Sequence, residues 1–136
     1  MSHLLDTSAA IDIIQGRKPA ARQRLLSAVR LRTTILLPSV AFLELRYGVE
    51  RSAQRDRNAA LLDDLLSVPL RILAFDDEDA GEAARLRVTL ERVGTPIGPY
   101  DVMIAAQASR RGWTVVTANV AEFRRVPGLA VEDWSA

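Results

Sequence analysis

A chain of 136 residues and 15.0 kDa has room for one sizeable core and not for two, so residues 1–136 are expected to form a single domain with one site. Apolar residues make up 49% and charged residues 26%, a balance that excludes a disordered or fibrous chain, and the absence of cysteine excludes a disulfide framework and a thiolate metal site. A net charge of +1 excludes the strongly basic chain that announces a polyanion binder through its overall field.

The chain opens with HLLD (3–6), a short apolar run ending in an acid that predicts a first strand. This start lacks the basic segment and long apolar run of a signal peptide, so a cytoplasmic protein is expected. SAAIDIIQ then shows helical spacing and closes on Gly16. Ala20 to Val29 suits a second helix, TTILL (33–37) a β-branched second strand, and PSVAFLELRYGVERS (38–52) a helix opened by Pro38 in its first turn. The longest apolar stretch, Ile35 to Leu43, is interrupted by Pro38 and Ser39 and falls far short of the roughly 20 residues that span a bilayer.

RNAALLDDLLS predicts a further helix and LRILAF a short strand. Acids crowd the first turn of DDEDAGEAARLRVTLERVG and Gly94 stands at its end, the two signatures of a helix with a complemented dipole. After the loop TPIGP come a helix at YDVMIAAQASRRG and strands at WTVVTAN and GLAVEDW. Strands separated by helices point to a parallel sheet in an α/β sandwich, whose site lies at the carboxyl ends of the strands where their order reverses.

Most of the carboxylates have an obvious surface role. Glu82 can reach Arg85, Glu91 follows Arg87 by four, and Asp76 to Asp79 serve a helix start. Glu44 has only Val40, Ala41, Tyr47 and Gly48 at spacings of three and four. Asp101 looks along its helix onto Ile104 and Ala105, in a helix apolar nearly all round, and Asp6 ends an apolar strand just before the hydroxyls of Thr7 and Ser8. Local explanations exist: Asp6 as a helix cap, Asp101 as an early-helix acid, Glu44 reaching solvent or a distant arginine. Asp12 also lacks a close cation, but it sits where solvation is easy. Burying three unpaired carboxylates costs several kcal/mol, and gathering them round a divalent ion relieves all three at once. Oxygen donors without histidine or cysteine favour Mg²⁺ or Mn²⁺, which suits phosphodiester hydrolysis.

LLDTS (4–8), LPSVAFLELRYGVERS (37–52) and GTPIGPYDVMIAAQASRRGWTVVTANVAEFRRVPGLAVEDW (94–134) together resemble, in order and separation, the PIN-domain ribonucleases, and within them the VapC toxins of type II toxin–antitoxin systems. The resemblance implies a PIN-like α/β/α sandwich with a central parallel sheet of four to five strands. It further implies Mg²⁺- or Mn²⁺-dependent endoribonuclease activity on structured RNA such as transfer RNA, inhibition by a small VapB-type antitoxin, and a homodimer, with the helices after Pro38 as candidate surfaces. Asp6, Glu44 and Asp101 match the family's acidic metal ligands, Ser8 the hydroxyl supporting the first acid, and Thr117 the hydroxyl before the last position. Asn119 falls where many PIN domains carry a fourth aspartate, and an amide there can ligate or orient water without adding charge. Glu122 is a substitute nearby, or a surface partner of Arg125.

Lys18 is the only lysine; arginines recur at 17–32, 46–57, 110–111 and 124–125, in forms suited to phosphate contact, although a GC-rich genome accounts for the bias equally well. His3, the only histidine, is read as a surface side chain, which leaves no serine–histidine or paired-histidine chemistry. Trp113 and Trp134 are read as packing residues rather than base-stacking platforms. A receiver domain would need a late lysine, and a haloacid dehalogenase-like phosphatase an aspartate where Ser8 stands. The alternative from another class is a catalytically silent PIN-fold module that binds RNA or an antitoxin.

Overall fold

The computed structural model describes residues 2–136. In chain order the elements are β1 (Ser2–Leu5), α1 (Thr7–Gln15), α2 (Pro19–Arg30), β2 (Thr34–Pro38), α3 (Ser39–Arg51), α4 (Arg55–Leu66), β3 (Arg71–Leu73), α5 (Asp77–Arg92), α6 (Pro99–Arg111), β4 (Thr114–Val116), α7 (Val120–Phe123) and β5 (Ala130–Glu132). Five strands pair in parallel in the order β3-β2-β1-β4-β5 and are flanked by helices, as the sequence led one to expect.

Because helices cover the sheet, its central strands carry consecutive buried apolar residues rather than an alternation, although β1 begins with Ser2 and His3. Leu4 and Leu5 of β1, Leu37 of β2, and Val115 and Val116 of β4 are fully buried, and Ala105, Ala106 and Ala108 let α6 pack closely against them. The chain works outward from β1 through β2 to β3, then returns to the other flank for β4 and β5. The order therefore reverses between β1 and β4, and a crevice opens at their carboxyl ends. There the Asp6 amide donates to the Val116 carbonyl at 3.0 Å, so the first residue beyond β1 is tied to the last of β4.

Four expectations need correcting. Pro38 ends β2 instead of opening α3: its ψ of 141° is extended, and the helix begins at Ser39. Helix α7 was not foreseen, since four residues are too few to show a period. His3 is no surface side chain; it lies 12% exposed on a central strand, 3.3 Å from Glu132 and with its ring 5.8 Å from that of Trp134. Asp79 does more than begin a helix: it is fully buried, forms a reciprocal capping box with Asp76, and is met by Arg110 and Arg111 from α6. Among the described residues no helix is long and apolar enough to cross a membrane.

Candidate metal centre

Asp6 is both helix cap and site acid. It is 1% exposed, and one carboxylate oxygen accepts from the Ala9 amide at 2.8 Å, capping α1. The other accepts from Thr117 Oγ1 at 2.6 Å, while Ser8 Oγ lies 2.8 and 3.0 Å from the two oxygens. These hydroxyls are themselves anchored, Ser8 Oγ by the Ala118 amide at 3.0 Å and Thr117 Oγ1 by the Asn119 amide at 2.9 Å. Burial pushes the Asp6 carboxyl above its usual range, hydrogen bonds from Thr117, Ala9 and Ser8 hold it back, and the charge of Glu44 adds to the rise.

Glu44 enters from α3, half-buried, and accepts from Thr7 Oγ1 at 2.6 Å. Asp101 enters from the first turn of α6, where the helix dipole favours an anion, and is also half-buried. Its partner is Glu122 of α7. Gly98 shows how closely these two approach: a Cβ there would stand 3.2 Å from Asp101 Oδ2 and 3.6 Å from Glu122 Oε1, so only glycine leaves the carboxylates undisturbed. Glu122 Oε1 accepts from the Gly98 amide at 2.8 Å.

Asp101 is pushed up to about 7, first by burial and then by the charges of Glu122, Asp6 and Glu44. Asp101 thus feels the other three carboxylates, and Asp6 feels Glu44. Among the described residues none of the four forms an ion pair. No three acids among those residues stand close enough to make a ready-made cage. Mutual repulsion explains the spread: Glu44 turns to Thr7 and Glu122 to the Gly98 amide. The donor set is entirely oxygen and carries negative charge that no protein cation offsets, which is the chemistry that fits Mg²⁺ or Mn²⁺.

Asn119 does not join this group. It is exposed, and within the site only its backbone amide is engaged, with Thr117. Glu122 brings the fourth carboxylate instead. The sequence left Glu122 either as a substitute in the site or as a surface partner of Arg125; α7 ends at Phe123, and Arg125 turns away to the Pro96 carbonyl at 2.8 Å. Asp12, set aside as easily solvated, lies 3.5 Å from Lys18.

A PIN domain family model matches residues 3–129. The tRNA(fMet)-specific endonuclease VapC of Salmonella typhimurium is 38% identical over 135 residues, covering 98% of each chain, and Ribonuclease VapC2 of Rickettsia felis is 34% identical over 134 residues, again covering 98% of each. In three dimensions the chain superposes on a crystal structure of VapBC2 from Rickettsia felis bound to a DNA fragment from its promoter, with a TM-score of 0.91 at 32% identity, over 98% of this chain and 99% of that one. DNA-bound VapBC from Salmonella typhimurium gives a TM-score of 0.89 at 37% identity over 98% of each chain. With its parallel sheet, its acids at the β1/β4 crevice and these relatives along nearly its whole length, the chain belongs to the PIN-domain family, among the VapC ribonucleases.

Proposed function

We propose that this chain is an endoribonuclease toxin that depends on Mg²⁺ or Mn²⁺, cleaves structured RNA of the transfer-RNA class, and is neutralised by a cognate VapB-type antitoxin. One observation carries the reading: near the carboxyl ends of β1 and β4 the charges of Glu122, Asp6 and Glu44 all bear on Asp101, and among the described residues none of the four forms an ion pair. The relatives named as VapC ribonucleases support the activity, and the VapBC complexes support the antitoxin. The same reading makes residues 1–136 one catalytic domain, working in the cytoplasm as a homodimer.

Asp6, Glu44 and Asp101 are proposed as the metal-holding acids, with Glu122 as the fourth. Bound among them, a divalent ion lowers the pKa of a water and offsets the charge that develops on a phosphoryl oxygen. The protein's own contribution is orientation. Thr117, Ser8 and the Ala9 amide aim Asp6, Thr7 aims Glu44, and Glu122 holds the Gly98 amide and with it the start of α6 that carries Asp101. Supports of this kind are worth about 10- to 100-fold in metal affinity or activity. No side-chain nucleophile is needed, and the only histidine is engaged with Glu132. The silent-module alternative drew on Asn119, and Glu122 supplies the carboxylate that Asn119 lacks.

The test is incubation of the purified protein with a structured RNA in Mn²⁺ or Mg²⁺. Cleavage that stops in EDTA and is lost in Asp6→Asn supports the assignment. Cleavage that persists in EDTA, or an Asp6→Asn protein of full activity, overturns it. In cells, expression is expected to arrest growth, with rescue by the small antitoxin.

A further inference from the structure

We propose that Tyr100 is a base-stacking platform at the lip of the carboxylate site, so that RNA reaches the scissile phosphate as an unpaired strand with one base laid on this ring. The proposal rests on the ribonuclease reading and assigns to that site a residue that positions the substrate.

The chain carries three phenylalanines, two tryptophans and two tyrosines. Phe123 and Trp134 are buried, and Phe42, Phe75 and Trp113 pack against the core. Tyr47 is exposed, but the Arg51 guanidinium covers its ring at 5.5 Å. Tyr100 is 43% exposed, and among the described residues no aromatic or cationic group stacks on it. It is also the residue immediately before Asp101.

The mounting of this ring is rigid. Tyr100 is the second residue of α6, directly after Pro99, whose ring fixes the backbone at the helix start. The loop before it is tied down twice, by Glu122 on the Gly98 amide and by Arg125 on the Pro96 carbonyl. The backbone that carries Tyr100 is therefore fixed at the helix turn that also carries Asp101.

Electrostatics supplies the need for such a grip. A net charge of +1 gives little long-range attraction to a polyanion, so affinity has to come from local contacts. Stacking of a base on an aromatic face is such a contact, since it needs no net charge. A base can reach the ring only when it is splayed out of a helix, which selects loops, bulges and ends over duplex. Arg124, two residues after Glu122, is exposed and without an ion pair among the described residues, a cation available to a phosphate.

The test uses the full chain and a single-stranded oligoribonucleotide carrying 2-aminopurine beside the cleavage position, with fluorescence followed by stopped flow before turnover. Wild type is expected to quench the probe, and Tyr100→Phe and Tyr100→Trp to retain the quench. Tyr100→Ala is expected to lose it and to raise KM about tenfold or more with little change in kcat, at an unaltered melting temperature. Quenching and KM in Tyr100→Ala equal to wild type overturn the proposal. So does a shift in its oligomeric state at unchanged RNA affinity, which assigns the ring to a contact between copies. A wild type that quenches without cleaving strikes the ribonuclease reading alone; one that cleaves without any dependence on the ring strikes this proposal alone.

Discussion

Near the carboxyl ends of β1 and β4, Glu122, Asp6 and Glu44 bear on Asp101 and none of the four forms an ion pair among the described residues, whereas at the start of α5 Asp76, Glu78 and Asp79 are met by two arginines from α6. Arg110 lies 3.1 Å from Asp76 and 2.8 Å from Glu78, and Arg111 lies 2.8 Å from Asp79. Asp79 further accepts from the Asp76 amide at 3.1 Å and from Gln107 at 3.2 Å. The same side-chain type takes opposite values in the two places. Burial raises both, but in Asp101 the neighbouring carboxylates add to the rise and bring it to about 7. In Asp79 the Arg111, Asp76 and Gln107 contacts outweigh burial and bring it down to about 2. A satisfied cluster ties α5 to α6, whereas an unsatisfied one holds charge ready for a cation the protein does not itself supply. Stability and activity should therefore separate cleanly between the clusters.

The largest effect is expected at the unsatisfied cluster. Asp101→Asn is expected to lower RNA cleavage about a thousandfold, on the scale of losing one essential electrostatic contact at a reacting centre. Its melting temperature is expected to hold or rise, because mutual repulsion falls. A calorimetric scan beside the cleavage assay checks both halves. At the satisfied cluster the pattern reverses: Asp79→Asn strands Arg111, while Arg110 keeps Asp76 and Glu78, and is expected to cost about 3 kcal/mol of folding stability, read by urea denaturation, with cleavage per folded molecule retained.

Smaller effects sharpen the contrast. Thr117→Ala removes the 2.6 Å hydrogen bond to Asp6 and is expected to weaken Mn²⁺ binding by about 10- to 100-fold with the fold intact, measured by calorimetric titration. The pH dependence follows from the sign of the Asp79 shift. Its pKa is lower folded than unfolded, so its contribution is fully present above the unfolded value near 3.8 and is lost as pH falls through about 2. That loss is on the order of 2 kcal/mol, and it should vanish from the acid limb of the denaturation profile in Asp79→Asn.

What could be read from sequence was whatever has a local signature. Acids at the start of α5 and Gly94 just beyond its end mark that helix, and apolar runs mark β1 and β2, because their causes lie within a few residues. Glu44 and Asp101 stood out because each lacks a cation at helical spacing and Asp6 because it ends an apolar strand, and among the described residues none of the three forms an ion pair. Glu122 was left between the site and a surface pair for the complementary reason. Arg125 is a helical partner only if the helix continues, and α7 stops after four residues. Pro38 failed similarly, since its fixed φ suits a strand end as well as a helix start and only ψ distinguishes them. The burial of Asp79 depends on Arg110 and Arg111, some thirty residues further along, a distance no periodicity spans.

The most direct test of an acid cluster held ready for a cation is the melting temperature of the wild type and of Asp101→Asn, each in Mn²⁺ and in EDTA. Mn²⁺ is expected to raise the wild-type midpoint by several degrees through preferential binding to the folded state and to leave the variant almost unmoved. An equal rise in both proteins, or none in the wild type, contradicts the assignment of these carboxylates.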